Sequence, residues 1–382
     1  MLDRRTLLAS GAAAGTLAAF GPRVAFAQGS GEKRLLVLVM RGATDGLSLA
    51  APVADPAFRS LRAAWLETYA NATKLDGTFR LHPSLGEVAR MYGDGDALVA
   101  HAVATDYRER SHFDAQNLLE SGATRPFERR DGFLNRLVGL ANNGDMAAVA
   151  LAPAMPLALR GDNPATTYAP SNLPQASEGL LARLPALYGD DPQLAAMWQQ
   201  AQELEGLADG TEMGSLRKAS DAGTLAARML REKDGARIAM LDVPGWDTHA
   251  NQARMLARGF GKLDALLGAF RKGIGPAWKD TLVLAVTEFG RTAAINGTGG
   301  TDHGTASAAL LMGGGIRGGR VVADWPGLAP SQLYEGRDLR PTTSLEALVA
   351  GALAEHFGLD AEEAMRVLFP GRNNRPIAGL LV

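Results

Sequence analysis

The sequence predicts an α/β protein: a doubly wound, mostly parallel sheet flanked by helices, with a helical insertion. Three observations predict it. Apolar runs of strand length recur along the chain, segments of helical spacing lie between them, and one long stretch has no strand run. Runs without polar alternation suit strands covered on both faces, and strands alternating with helices build parallel sheets.

Taken in order, the first run is Leu35-Leu36-Val37-Leu38-Val39-Met40. Others follow at Ala97 to Val103, Ala147 to Leu151, Ala236 to Leu241, Thr281 to Thr287 and Ala308 to Met312. Helical spacing marks Pro56 to Tyr69, Pro83 to Tyr92, His112 to Ser121, Asp131 to Ala141, Asn251 to Lys272 and Ser344 to Phe357. Residues 152 to 234 open with a proline-rich loop (Pro153, Pro156, Pro164, Pro170, Pro174) and continue as amphipathic helix. That stretch reads as an insertion or cap across one sheet edge. Gly313-Gly314-Gly315 and Arg317-Gly318-Gly319-Arg320 lack the closing Gly-Lys-Ser/Thr of a nucleotide loop and lead into Val321-Val322, so they predict a tight turn between strands. Arg41 to Gly46 lacks the three-glycine spacing of a dinucleotide fingerprint.

Residues 1 to 27 read as a twin-arginine signal peptide, separate from the domain at 28 to 382. Arg4-Arg5 stand directly before the apolar stretch Leu7 to Phe20, and Ala25-Phe26-Ala27 gives the small-x-small pattern of a cleavage site. The apolar stretch falls short of the ~20 residues that span a bilayer, so no stable membrane span is expected in the mature protein. The reading implies the twin-arginine translocation machinery as a partner and a periplasmic or secreted location. That route carries folded passengers and suits a protein that loads its cofactor before export.

Composition removes several classes. There is no cysteine, which excludes thiolate metal sites, thiol nucleophiles and disulfides. The leader's Arg4, Arg5 and Arg23 against Asp3 are a surplus of two positive charges, so its removal takes the formal net charge from -2 to -4. A weakly acidic chain without a basic block argues against nucleic-acid binding.

In doubly wound sheets ligands collect beyond the carboxyl ends of the strands, so the residues just past each run are the candidates. The first run is followed by Arg41, Thr44 and Asp45, and the second by Asp106, Arg108, Arg110, Ser111 and His112. The Ala236 run ends in Asp242 and then Gly245-Trp246-Asp247-Thr248-His249. The Thr281 run ends in Glu288 and Arg291, and a glycine-rich loop adds Asp302 and His303. Three of the six histidines therefore stand in these loops beside carboxylates, the donor types a divalent metal takes. Each motif also has a plainer reading. Asp247-Thr248-His249 and Ser111 fit helix N-caps, Asp302-His303 fits a turn, and Glu288 fits an ion pair with Arg291. His82 and His356 read as structural.

Five motifs taken together carry a resemblance. They are Arg41-Gly42-Ala43-Thr44-Asp45-Gly46, Arg110-Ser111-His112-Phe113-Asp114-Ala115-Gln116, Gly245-Trp246-Asp247-Thr248-His249, Thr287-Glu288-Phe289-Gly290-Arg291-Thr292 and Gly300-Thr301-Asp302-His303-Gly304. In this order the set resembles the bacterial family catalogued as domain of unknown function 1501, from about Arg34 to Phe369. That family is grouped with the alkaline-phosphatase/sulfatase superfamily, whose members bind metal at the strand ends and attack phosphate or sulfate esters. The resemblance implies an alkaline-phosphatase-like fold and a divalent metal held among Asp45, Asp247, His249, Glu288, Asp302 and His303. It implies Ser111 as nucleophile at a helix N-terminus, with Arg110 and His112 beside it as catalytic residues. Arg41 and Arg291 would join Arg110 in holding an anionic ester. One departure stands out: the superfamily carries Asp-His after the late strand, and this chain carries Glu288-Phe289. Two readings follow: a metal-assisted phosphatase- or sulfatase-like hydrolase, or a non-catalytic exported binder of an envelope polymer that keeps the fold and a polar cleft.

Overall fold

The structure is a computed structural model that describes residues 32–142, 147–169, 218–232 and 235–382, with 183 and 198. The expected signal segment and most of the expected helical insertion lie outside the described residues. Eleven strands follow in chain order among them: β1 (Arg34–Arg41), β2 (Ala50–Ala51), β3 (Arg80–Leu81), β4 (Ala97–Ala104), β5 (Ala148–Ala150), β6 (Ala165–Thr167), β7 (Ile238–Pro244), β8 (Thr281–Val286), β9 (Ser307–Met312), β10 (Arg320–Val322) and β11 (Thr343–Ser344). Nine of them form one sheet in the order β10-β4-β9-β8-β1-β7-β5-β6, with β11 also on β4; β2 and β3 pair separately.

Strand β1 lies at the centre, parallel to β7 and β8, with Val37 opposite Met240 on one side and Leu284 on the other. Its apolar run is unbroken because both faces are covered. Leu36, Leu38 and Met40 face one core, packed on the helices Gly86–Gly93, Ala219–Arg231 and Gln252–Ile274. Leu35, Val37 and Val39 face the other, under Phe133–Asn142, Leu345–Phe357 and Ala361–Leu368. Each side chain buried this fully is worth roughly 1.5–3 kcal/mol against its exposed state, so the centre of the sheet is where stability concentrates.

The mixed α/β architecture with a mostly parallel sheet is as expected, but β9 runs antiparallel to both β4 and β8. This reversal matters for the site. The start of β9, not its end, lies beside the carboxyl ends of β1, β4, β7 and β8, so the loop before it reaches the same edge.

Three local departures have clear causes. The expected helix from Pro56 to Tyr69 breaks at Arg62, between an α-helix at Pro56–Leu61 and a 3-10 helix at Ala63–Tyr69. Arg62 leaves helical geometry (φ -123°) with its side chain wholly buried against Asp45. Within the proline-rich opening of 152–234, the three-residue edge strand β6 pairs with β5; it is too short to show a period. Asn251 adopts a left-handed conformation (φ 48°), so the long helix begins at Gln252 and none of Asp247, Thr248 or His249 caps it. The glycine-rich segment after β9 does turn, and its Gly313 and Gly318 amides donate to the carbonyls of Asp96 and Gly95. Among the described residues no helix is long and apolar enough to cross a membrane.

Candidate metal centre

Five segments meet at one edge of the sheet, those after β1, β4, β7 and β8 and the loop before β9. The segment after β8 and the loop before β9 pair with each other: the Thr292 amide donates to the Asp302 carbonyl at 2.9 Å and the Gly290 amide to Thr305 at 2.8 Å. This pairing brings Glu288 and Arg291 beside Asp302 and His303. Two glycines permit the closest approaches. A Cβ on Gly42 (φ +114°) would lie 2.5 Å from the Asp247 nitrogen, and one on Gly300 would lie 2.2 Å from the His249 carbonyl. At either position only a bare backbone fits.

Where the loops meet, three imidazoles and a carboxylate face one another. His303 Nε2 lies 3.0 Å from His112 Nε2 and 3.0 Å from His249 Nε2. Asp247 Oδ1 lies 2.9 Å from His249 Nε2, 3.1 Å from His303 Nε2 and 3.6 Å from His112 Nε2.

The other nitrogen of each ring decides what these contacts mean. His112 Nδ1 meets Glu288 Oε1 at 2.9 Å, His249 Nδ1 meets Asp302 Oδ1 at 3.2 Å, and His303 Nδ1 meets the Arg110 carbonyl at 3.1 Å. A carbonyl or an ionised carboxylate can only accept, so each neutral ring carries its proton on Nδ1 and a bare lone pair on Nε2. Both carboxylates favour the ionised form. Burial would raise Glu288, but hydrogen bonds from His112, Gln116 and the Gly42 amide outweigh it and hold it below the usual range. Asn296 and His249 lower Asp302. The His303 lone pair thus faces those of His112 and of His249 at 3.0 Å each with no proton between, an arrangement that repels unless a cation sits among them.

A tetrahedral metal about 2.0–2.1 Å from each nitrogen would set them roughly 3.3 Å apart, close to the 3.0 Å from His303 to His112 and from His303 to His249. His112, Asp247 and His303 stand close enough together to hold one ion, with His249 beside His303 and Asp247; imidazole and carboxylate are donors that zinc and similar ions take, and carboxylate or carbonyl partners on Nδ1 are the usual support for such rings. The residues fit a divalent cation. Without one, the relieving proton belongs on His112, which its hydrogen bond to Glu288 raises despite burial. His303 is lowered by its burial and by His112 beside it. Burial would raise Asp247, but the Arg291 hydrogen bond and charge hold it down at about 2, ready to serve as an anionic ligand.

The remaining candidates are placed as follows. Asp45 is wholly buried and apart from the donor set, pinned by Arg62 Nη1 at 2.6 Å, Ser48 Oγ at 2.8 Å and Gln252 Nε2 at 2.5 Å. Glu288 and Asp302 stand behind the rings and hold their protons. Ser111 is the N-cap residue of the helix His112–Ser121, yet its hydroxyl makes no capping bond. Arg41 is bound to Gln116, Glu120 and Asp242, and Arg110 to Asp338 and Glu335. Arg291, fully buried, reaches the donor set itself, with Nη1 2.7 Å from Asp247 Oδ1. Phe289 lies against His112 and His303, ring centroids 4.8 and 5.4 Å away, and walls one side of the cluster. His82 and His356 are buried away from it and bonded to backbone.

Sequence reasoning missed Gln116, Asn296 and Asp338 as supports. Gln116 had a signal, since it lies four residues after His112 and so on the same helix face. Asn296 and Asp338 had none.

Among curated proteins none matches the chain in sequence. In fold it is similar to the C-terminal periplasmic domain of EcEptC from Escherichia coli in complex with zinc, at 10% identity, with 75% of this chain and 74% of that one covered and a TM-score of 0.40. It is also similar to the lipoteichoic acid synthase LtaP from Listeria monocytogenes, at 9% identity, 78% and 69% covered, TM-score 0.41. A third is alkaline phosphatase from the Antarctic bacterium TAB5, at 14% identity, 74% and 92% covered, TM-score 0.37. Likenesses this distant carry no argument about activity. The family model described as "Protein of unknown function (DUF1501)" matches residues 67–368, and the chain belongs to that family.

Proposed function

We propose that this chain is an exported, divalent-metal-dependent hydrolase of anionic phosphate or sulfate esters, with the cation held by His112, Asp247, His249 and His303. The observation that carries the reading is the convergence of three bare Nε2 atoms on Asp247 Oδ1. A bound divalent cation supplies Lewis acidity toward an ester oxygen and lowers the pKa of a nearby nucleophile. The chain's own residues do the rest. Glu288, Asp302 and the Arg110 carbonyl keep the ring protons on Nδ1, and Phe289 packs against the His112 and His303 rings. Ser111 offers a hydroxyl at a helix N-terminus, where negative charge is stabilised. Arg291 fixes Asp247 and brings a buried positive charge to the same oxygen. Asp45 we assign to anchoring Arg62 rather than to the metal.

A second reading, a metal-holding protein of the envelope that binds but does not catalyse, has one specific support. Arg41, Arg110 and Arg291 are each committed to carboxylates, which leaves none of the three free to clamp an anionic ester.

The test is elemental analysis of protein purified from the envelope, with Asp247→Ala/His249→Ala alongside, followed by aryl phosphate and aryl sulfate assays of the loaded protein and of Ser111→Ala. About one metal per chain, lost in the double variant, with turnover lost in Ser111→Ala, is expected. No metal after reconstitution sinks the proposal, and metal without turnover selects the second reading. Export is tested by Arg4→Lys/Arg5→Lys, which should leave the protein in the cytoplasm.

A further inference from the structure

His303 is gripped at both ends by two arginines that share one buried carboxylate. Its ring Nδ1 donates to the Arg110 carbonyl at 3.1 Å, and its own carbonyl accepts from Arg337 Nη2 at 2.6 Å. Both guanidiniums return to Asp338, whose side chain is fully buried. Arg110 Nε and Nη2 reach Asp338 Oδ2 at 3.0 and 2.8 Å, and Arg337 Nε reaches Oδ1 at 2.9 Å.

The backbone adds to the case. Arg110 is left-handed (φ 59°), unusual for a side chain of its size, and this conformation accompanies a carbonyl turned to the imidazole. Its guanidinium, tied to Asp338, keeps it there. Asp338 is itself fixed by paired backbone bonds, its amide to the Tyr334 carbonyl at 3.0 Å and the Tyr334 amide to its carbonyl at 2.9 Å. It also forms a bridge with Thr292, in the segment that carries Arg291.

We infer that Asp338 is a positioning residue for the metal centre: through Arg110 and Arg337 it fixes the tautomer and place of His303, the nitrogen on which the other two rings converge. Asp338 touches none of the donor atoms, and nothing in its local sequence marks it. The inference rests on the metal reading above, and it concerns how tightly and in what geometry the cation is held rather than what the centre then does.

Zinc affinity by chelator competition tests it, with the absorption spectrum of the cobalt-loaded protein as a second readout. Asp338→Asn should weaken zinc binding roughly 10–100-fold and change the cobalt spectrum, the usual effect of removing a support behind a ligand. Glu335→Gln, which removes only the exposed partner of Arg110, should stay within about threefold of wild type. In a His303→Ala background Asp338→Asn should add nothing, because the ring it positions is gone. Arg337→Gln, at a half-exposed side chain, gives a folded variant for the same comparison should Asp338→Asn not fold. Asp338→Asn and Arg337→Gln both binding zinc as wild type does would overturn the inference alone, and so would an equal loss with and without His303. A wild type that takes up no zinc or cobalt overturns the metal reading and this inference with it.

Discussion

His112 and His303 point their Nε2 atoms at each other across 3.0 Å although 191 positions separate them: one opens the helix that follows β4, the other stands in the loop before the antiparallel strand β9. Each is turned that way by what holds its Nδ1, a carboxylate in one case and a carbonyl in the other. Two bare nitrogens so placed store repulsion that a cation converts to binding.

Metal should therefore stabilise the fold. At a free zinc concentration about a thousand times the dissociation constant, mass action adds roughly 4 kcal/mol. For a domain of this size that is a rise in Tm on the order of 10 °C. Thermal unfolding with zinc, and again after a chelator, reads it directly. Curves that coincide would remove the centre.

Asp45 separates anchoring from ligation. It is buried with Arg62, and Asp45→Asn leaves that guanidinium without a counter-charge, a loss of roughly 3–5 kcal/mol. Zinc affinity of the folded protein should change little. Urea unfolding beside zinc titration gives both numbers; normal stability with abolished binding would make Asp45 a ligand instead.

Gly300→Ala should damage the centre and spare the core. The added Cβ would lie 2.2 Å from the His249 carbonyl carbon and oxygen, so the His249 loop must move. A loss of zinc affinity of about tenfold or more is expected, on the scale of displaced ligands and their supports, with the far-ultraviolet spectrum unchanged. Wild-type affinity in this variant would show that the loop gives way without disturbing His249.

Acid should destabilise the metal-free protein well above the carboxylate range. Burial pushes His82, His101 and His356 each down to about 4. Unfolded histidine titrates near 6.5, so between about pH 6.5 and 4 the unfolded chain binds protons that the folded chain refuses. Stability is full above that window and falls through it, by up to about 1.4 kcal/mol per pH unit for each histidine. His112 shifts up through its hydrogen bond to Glu288 and His303 shifts down through burial, so the two pull in opposite senses. Urea midpoints at pH 7.5, 6.5 and 5.5 should drop in that order, and a flat series would contradict the burial of these rings.

Much of this was legible in the residues. The Leu35 to Met40 run is a central strand because a strand covered on both faces needs no polar alternation. The strand-end rule placed His112, Asp247, His249 and His303 in loops at one edge before any contact was known, because each follows an apolar run or precedes one. Long-range pairing was not legible. Arg62 looked like one more residue of a helix from Pro56 to Tyr69; it leaves that helix with its charge buried against Asp45, seventeen positions earlier, and against the carbonyls of Thr292 and Ala293. The arginines looked like free cations for an ester, but each met a carboxylate that the linear order keeps remote, such as Asp338 for Arg110.

The sequence by itself determined the layer architecture and which residue types crowd the functional edge, because hydrophobic period and strand-end position are local properties of the chain. Tertiary contacts set which of those side chains face one another and which stand behind them. That depends on the direction of β9, on the two glycine close approaches and on which acceptor each Nδ1 meets, and all three are contacts between segments far apart in the chain.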